Sequence, residues 1–162
     1  MKIIKYIIDF IKSLFTRKKE IILLKEYPTY IPNEFDWRIL EEINIKRLEK
    51  GLNVINYQTT PKIIDNIAYS HVLWLEKNIN DTIDFKKRGH NFFQERCDQI
   101  QLRYPNIKDI GENLSKGFIS PLGNVIAWDH SPLHADLMYG NHTNISIASN
   151  KNYVVTIYIN IQ

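Results

Sequence analysis

Cysteine is almost absent from this sequence, and its scarcity limits the classes of protein to consider. The chain of 162 residues contains one cysteine, Cys97. No intramolecular disulfide can therefore form, and zinc sites built on paired cysteines are excluded. A single thiol fits a reducing compartment, but a bacterial or phage product without disulfides would look the same.

Long apolar runs and strong charge are also missing. No run approaches the ~20 apolar residues of a membrane-spanning helix. A cleavable signal peptide is not predicted, because Lys5, Asp9 and Lys12 interrupt the first apolar stretch and no Ala-x-Ala site follows. We therefore expect a cytoplasmic protein or one incorporated into an assembly. The formal net charge of +3 is too weak to indicate nucleic acid as a partner.

Common catalytic and cofactor motifs are absent as well. The sequence has no phosphate-binding loop, no Gly-x-Gly-x-x-Gly, no Gly-x-Ser-x-Gly and no His-Glu-x-x-His. What it has is an ordinary globular balance, with 44% hydrophobic and 24% charged residues. This length and balance predict one domain with a substantial core.

The basic character belongs to the N-terminus, where residues 1–24 read as an amphipathic helix. Its apolar residues follow helical spacing: Ile3, Ile4, Ile7, Ile8, Ile11, Leu14 and Phe15. Three interpretations stay open, namely packing on the helix's own domain, contact of residues 1–20 with a membrane surface, and docking onto a partner chain. Two prolines interrupt residues 25–35, which we interpret as a linker to a domain over 36–162.

Helices are predicted through most of this domain. The first covers 36–51, with Trp37, Leu40, Ile43 and Arg47/Leu48 on its apolar stripe. The second covers 60–78, with Thr60 as N-cap and its stripe on Ile64, Ile67, Ala68, His71 and Leu75. A third covers about 91–102, carrying Phe92, Phe93, Cys97 and Ile100. A fourth starts near Ser120-Pro121.

Strands are predicted at the end of the chain. Residues 144–149 and 153–161 alternate in hydrophobicity around the turn sequence "NKN", which is typical of a β-hairpin. An earlier strand is expected around 111–117. Helices followed by an antiparallel sheet indicate an α+β fold with helices on the sheet faces.

The polar candidates concentrate in "AWDHSPLHADLM", residues 127–138. Ser131-Pro132 has the form of a helix start, so the Ser131 hydroxyl is expected to cap the backbone rather than act as a nucleophile. His130 precedes this cap and His134 lies one turn inside the helix, so the two could share a metal. His90 and Glu112 each follow a glycine, and nothing local links them to His134.

Several short sequence motifs, which we call boxes, occur in the same order as in the CAP superfamily, and the chain resembles that superfamily. Its members include cysteine-rich secretory, antigen-5-like and plant pathogenesis-related proteins. The resemblance is to its bacterial SCP-like form and covers residues 36–162. The matching segments are "INIKRLEKGL" (43–52), "AYSHVLWL" (68–75), "GHNFFQER" (89–96), "GENLSKG" (111–117), "WDHSPLHADLM" (128–138) and the closing hairpin. The Gly-Glu-Asn box and the Trp…Ser-Pro-x-His box, together and in order, are fairly specific.

This resemblance implies a three-layer α-β-α sandwich with a small antiparallel sheet and a cleft holding two histidines and acidic residues. Carried over by position, the cleft histidines are His90 and His134, and the first acid is Glu112. Ser131 stands where many members of the family have a second acid, and His130 could fill that gap. His71 matches a helix position that we interpret as packing.

These residues support three functional hypotheses. The first is a non-enzymatic CAP domain that binds a protein partner or a lipid-like small ligand, with zinc or another divalent metal in the His/Glu cleft as an option. The second is a structural or docking component of a phage particle or cell-surface complex, using the N-terminal helix. The third is a zinc-assisted hydrolase of peptide or cell-wall material, which needs His90, Glu112 and His134 to converge on one water.

Overall fold

The computed structural model describes residues 26–117 and 119–161, which form six helices and three strands. In chain order these are α1 Glu34–Glu49, α2 Lys62–Asn78, α3 Thr82–Arg88, α4 Phe93–Arg103, β1 Ile107–Lys116, α5 Pro121–Asp129, α6 Pro132–Tyr139, β2 Asn144–Ser149 and β3 Tyr153–Ile161. The helix predicted for residues 1–24 lies outside the described residues.

Helix α1 begins at a capping box. The Asn33 side chain accepts hydrogen bonds from the Phe35 and Asp36 amides, while the Asp36 carboxylate accepts from the Asn33 amide at 2.9 Å. Each side chain satisfies a backbone donor that the first turn of a helix leaves free. The helix therefore starts two residues before the predicted position.

The apolar stripe predicted for α1 is wrong at two positions. Trp37 is 43% exposed and Leu48 is 59% exposed, whereas Ile39 is fully buried and Arg47 is 3% exposed. Trp37 packs edge-on against Tyr57 at the surface, with ring centroids 4.6 Å apart. Helix α1 therefore packs on the domain through Ile39, Ile43 and Arg47 rather than through Trp37 and Leu48.

The other helices follow the predicted order with local differences. The predicted second helix is α2, but Thr60 does not cap it; its hydroxyl donates to the Ile145 carbonyl at 2.9 Å instead. Helix α3 was not predicted, because its seven residues are too short for a periodic pattern. The predicted fourth helix is α5, and the Ser120 hydroxyl caps it by accepting from the Gly123 amide at 3.1 Å.

Phe92 lies outside the third predicted helix, now α4. It precedes the helix in a left-handed conformation with φ of 63°, and its side chain is 51% exposed. Such a backbone conformation is unusual for a bulky residue. The turn that carries His90 and leads into α4 is therefore tightly constrained by its surroundings.

The three strands form one antiparallel sheet with the order β1-β3-β2. The predicted hairpin is confirmed as β2 and β3, and the Asn150 side chain closes its turn by accepting from the amides of Asn152 and Tyr153. Strand β1 pairs with β3 along its length, with a register shift between Lys108 and Gly111. One edge of β1 therefore has no neighbouring strand among the described residues.

Both faces of the sheet are covered, which gives the α-β-α layers. One core joins β3 residues such as Val155 and Ile157 to α2 and to Ile100 of α4. The other joins Val154 and Tyr158 of β3 to α1, α5 and α6. The α+β fold class and the sandwich architecture are thus confirmed. Successive strand residues point to opposite faces of the sheet. Strand β3 therefore contributes apolar side chains to the cores on both faces.

The residues before α1 have no regular secondary structure but pack on this domain. The Tyr30 amide donates to Asn66 Oδ1 at 2.8 Å, and the Tyr30 hydroxyl donates to the Asp36 carboxylate at 2.5 Å. Its ring stacks on Tyr69 with centroids 4.4 Å apart. The end of the interval interpreted as a linker is therefore attached to α1 and α2.

Candidate functional site

Glu112 lies at the centre of a cluster of polar side chains on the α2/α4 face of the sheet, in which His71 and Arg96 are also buried and His90 is exposed. Arg96, on α4, donates from Nε to Glu112 Oε2 at 2.8 Å and from Nη2 to Oε1 at 2.7 Å. His90, in the turn after α3, places Nδ1 3.0 Å from Oε1. Glu112 is 5% exposed, and its two carboxylate oxygens make three hydrogen bonds, two with Arg96 and one with His90.

Arg96 extends this cluster to His71 on α2. Its Nη1 lies 3.1 Å from His71 Nδ1 and 2.9 Å from the Asn91 carbonyl. A guanidinium can only donate, so His71 Nδ1 accepts and its proton lies on Nε2, which donates to the Gly89 carbonyl at 2.7 Å. We call His71, His90, Arg96 and Glu112 the Glu112 cluster.

The charges of the cluster determine which protonation states it holds. Burial alone would raise the pKa of Glu112, but the His90 hydrogen bond and the Arg96 charge outweigh it and hold the pKa below its ordinary value. Burial and then the Arg96 charge lower the pKa of His71 to about 4, while Glu112, the Gly89 carbonyl and His90 act on it less strongly. At neutral pH the cluster therefore contains an ionised Glu112 and a neutral His71.

His134 belongs to a different environment, on helix α6. Its Nδ1 forms a hydrogen bond with Ser131 Oγ at 2.8 Å, and its backbone carbonyl accepts from Asn113 Nδ2 at 3.0 Å. Burial and then the charge of His90 lower the pKa of His134. His90 thus acts on His134 through its field, although no hydrogen bond joins them. We call Ser131 and His134 the His134 pair.

The capping role expected for Ser131 is wrong. Ser131 is the N-cap residue of α6, but its side chain makes no cap hydrogen bond. Its hydroxyl is the partner of His134 instead. The imidazole, one turn into the helix, therefore competes successfully with the backbone amides for that oxygen.

His130 contributes to neither group. It is the C-cap residue of α5 and is exposed. Its side chain forms no hydrogen bond or ion pair with the described residues. The suggestion that it replaces a missing acid stays a prediction.

The strand geometry explains why Glu112 and the His134 pair are separate. Glu112 pairs with Ile157, whose side chain belongs to the core beneath α2 and α4. The next residue, Asn113, points to the opposite face, where it meets α6. The backbone of His134 therefore contacts Asn113, the neighbour of Glu112 on the strand, and no hydrogen bond joins the His134 imidazole to Glu112.

A cavity of about 340 Å³ runs along the free edge of β1, and we call it the edge cavity. Its walls come from α3, β1, α5 and α6. The lining residues are Thr82, Phe85, Lys86, Leu114, Ser115, Lys116, Ala127, Trp128, Ser131 and His134. Trp128 is 1% exposed, and its Nε1 donates to the Leu114 carbonyl at 3.0 Å. This hydrogen bond satisfies an edge carbonyl that no strand pairs.

The arrangement does not fit the zinc site that the sequence suggested. Within residues 26–117 and 119–161 no group of three or more His, Cys, Asp or Glu side chains is placed to hold a metal ion. Both Glu112 oxygens accept from Arg96, and a catalytic zinc site needs three protein ligands around one position. Metal binding stays a prediction.

Arg96 is the residue of this cluster that sequence reasoning missed. It lies in the "GHNFFQER" segment that was noted for its histidine. A buried carboxylate needs a cationic partner, so a search for an arginine on the preceding helix could have found it.

Comparison with known proteins supports the fold assignment. The sequence matches no family model, and no curated protein matches it. Among solved structures, a cysteine-rich secretory protein of Staphylococcus aureus has a TM-score of 0.61 at 16% identity, covering 83% of this chain and 41% of its own. An extracellular SCP-domain protein of Bacillus anthracis has a TM-score of 0.62 at 15% identity, and the match covers 76% of this chain and 39% of the Bacillus chain. An outer surface protein of Borrelia burgdorferi has a TM-score of 0.61 at 18% identity, covering 82% and 97%.

The chain therefore has a CAP-like fold, as the order of its sequence boxes predicted. It spans about two fifths of the Staphylococcus and Bacillus chains and nearly all of the Borrelia chain. At these identities the similarity establishes the fold. None of the helices in residues 26–117 and 119–161 has both the length and the apolar character of a membrane span.

Proposed function

We propose that this protein is a non-enzymatic CAP-type binding protein whose edge cavity holds a small lipid-like carboxylate. The observation that carries the proposal is the composition of the cavity. Phe85, Leu114, Ala127 and Trp128 supply apolar walls, and its volume of about 340 Å³ is of the size that small ligands occupy. An apolar chain fits these walls.

The polar residues of the cavity favour an anionic head group. Lys86 and Lys116 both line it, and no acidic residue does. Lys116 Nζ lies 5.6 Å from the centroid of the Tyr153 ring, which leaves its charge without a carboxylate partner among the described residues. Ser131 and His134 add hydrogen-bonding groups. Two ammonium groups can each form a charge-assisted hydrogen bond with a carboxylate, and such bonds are stronger than hydrogen bonds between neutral groups.

The hydrogen-bond network argues against acid–base or nucleophilic catalysis. Ser131 and His134 make the contact of a nucleophile with its base, but such a base also needs a third group to orient it. No carboxylate contacts His134 among the described residues. Glu112, the acid that the family resemblance would supply, accepts hydrogen bonds from Arg96 and contacts His90 instead.

Chain length provides the first test. We expect hexanoate, octanoate and decanoate to bind with rising affinity, because each buried methylene contributes about 0.8 kcal/mol, roughly fourfold in affinity. Isothermal titration calorimetry measures this series, and octanol tests the head group. Equal affinity across the series, or octanol binding as tightly as octanoate, would contradict the proposal.

A charge reversal on α3 provides a matched control. Lys86 lines the cavity whereas its neighbour Lys87 does not, although both are exposed lysines on the same helix. Lys86→Glu should weaken octanoate binding roughly tenfold by replacing attraction with repulsion. Lys87→Glu changes the net charge equally and should leave the affinity within about twofold. Equal losses in the two variants would show that the cavity is not the site.

The sequence alone led us to expect a cytoplasmic protein or an assembly component. We propose instead that the protein is located outside the cytoplasm. The three similar structures come from proteins described as secretory, extracellular and outer-surface. Cell fractionation of the source organism tests this directly. Recovery with the cytosol alone would contradict it.

A further inference from the structure

A second cavity lies at the C-terminal end of α1, and its lining differs chemically from that of the edge cavity. Its volume is about 360 Å³, and it is enclosed by the end of α1, the end of α6 and the loops that follow them. The lining residues are Arg47, Gly51, Leu52, Asn53, Val54, Tyr139, Gly140, Asn141, His142 and Thr143. The set includes an arginine and a histidine but no acid.

Arg47 is the reason to regard this cavity as a site. It is 3% exposed, and it donates from Nε to the Asn53 carbonyl at 2.7 Å and from Nη1 to the carbonyls of Met138 and Gly140 at 2.7 and 3.0 Å. Its Nη2 forms no hydrogen bond with the described residues. Two donors of a nearly buried guanidinium are therefore available at a residue that lines the cavity.

The charge of Arg47 is also uncompensated. Burial lowers the pKa of Arg47, and the only opposing influence is the Tyr158 hydroxyl rather than a carboxylate of the described residues. Carbonyl oxygens at the end of α6 offset part of a positive charge, because a helix C-terminus carries about half a negative charge. A buried cation without an anion is costly. In contrast, Arg96 is also buried, at 6% exposed, and it forms a bidentate contact with the Glu112 carboxylate.

One further positive charge, that of Lys50, and the imidazole of His142 lie beside this cavity. Lys50 Nζ lies 4.4 Å from the centroid of the Tyr139 ring, one of the walls. His142 is half-buried, and its ring packs 5.6 Å from that of Tyr158. Burial and then the Arg47 charge lower the pKa of His142, while the Asp109 carboxyl and backbone raise it.

We propose that this cavity, which we call the Arg47 cavity, binds an oxyanion: the carboxylate or phosphate group of a small ligand, held by Arg47. Asn53 and Asn141, which also line the cavity, can donate further hydrogen bonds to its oxygens. This site is separate from the edge cavity, so the proposal stands or fails independently of the proposed function.

An isosteric variant supplies an anion from the protein itself. Asn141→Asp places a carboxylate at the rim of the cavity on an exposed residue. It should weaken phosphate binding roughly tenfold by repulsion and by competition for Arg47. Asn152→Asp, an exposed asparagine in the β2–β3 turn, makes the same change away from the cavity and serves as the control.

The experiment is calorimetric titration with sodium phosphate and with sodium acetate, each against sodium chloride at matched ionic strength. Saturable binding of phosphate alone assigns a phosphoryl group, and binding of acetate alone assigns a carboxylate; both support the proposal. NMR titration of the His142 ring gives a second readout. A bound anion should raise the His142 pKa, and unliganded Asn141→Asp should show a raised value as well.

Two results would overturn the proposal. One is the absence of saturable binding beyond that of chloride, with the His142 pKa unchanged. The other is binding as tight in Asn141→Asp as in Asn152→Asp, which would place the anion elsewhere on the protein.

Discussion

The two faces of β1 treat their polar residues differently. On the α2/α4 face, His71, Arg96 and Glu112 of the Glu112 cluster are buried, and the groups of the cluster bond to each other: Glu112 to Arg96 and His90, and Arg96 to His71. On the opposite face and along the strand edge, His134 has one side-chain partner, Ser131, and lines a cavity with two lysines. The comparison indicates that the first group stabilises the fold, whereas the second is available to a ligand.

Breaking the buried ion pair between Arg96 and Glu112 should give the largest change in the free energy of unfolding. Arg96→Met leaves an ionised Glu112 without its cation and should reduce the free energy of unfolding by about 3–5 kcal/mol. Arg38→Met is the control, because Arg38 pairs with Glu34 at the surface, where both side chains are exposed. That change should stay below about 1 kcal/mol. Urea denaturation measures both.

A second change separates charge from packing in the same cluster. Adding Glu112→Gln to Arg96→Met removes the uncompensated charge and should recover part of the loss. If the double variant is destabilised by the full sum of the two single changes, the pair does not act as one unit.

The pH dependence of stability should come next in size. The folded protein binds the His71 proton only below about pH 4, whereas the unfolded chain binds it below about 6.5. The unfolded state therefore takes up protons first as pH falls from 6.5 to 4. Over that window His71 should remove about 3 kcal/mol of stability, all of which is present above 6.5.

The variant His71→Gln isolates this contribution. Glutamine offers a donor for the Gly89 carbonyl and an acceptor for Arg96 without titrating. Its urea midpoint should fall less steeply than that of the wild-type protein between pH 6.5 and 4. Parallel curves for the two proteins would assign the acid sensitivity to other groups.

The smallest effects should come from the partly exposed residues. His90→Ala removes one hydrogen bond, but both Glu112 oxygens keep their bonds to Arg96. Ser131→Ala removes the partner of His134 without breaking a helix cap. Each should change the free energy of unfolding by less than about 1 kcal/mol. A loss as large as that of Arg96→Met would erase the distinction between the two faces.

Local patterns were sufficient to predict most of the fold. The period-two alternation of residues 153–161 predicted β3 and its hairpin, because alternating residues contact the two cores. Ser120-Pro121 predicted the start of α5 from cap chemistry that acts within three residues. Trp37 could not be placed, because its position depends on Tyr57, which is distant in sequence.

The candidate site was predicted in part, and the difference has a physical cause. Family boxes pointed to His90, Glu112 and His134, and the described residues contain all three around β1. Sequence order does not reveal that Arg96 binds both oxygens of Glu112, nor that the His134 imidazole bonds to Ser131. The expected three-residue group is therefore divided between the Glu112 cluster and the His134 pair.

The most direct test of this division is an NMR titration of the histidine rings with sodium decanoate. The account predicts that the His134 resonances shift saturably, since His134 lines the edge cavity, while those of His71 stay fixed within the Glu112 cluster. Decanoate that leaves His134 unmoved would contradict the proposed site. Zinc that shifts His90 and His134 together would contradict the division itself.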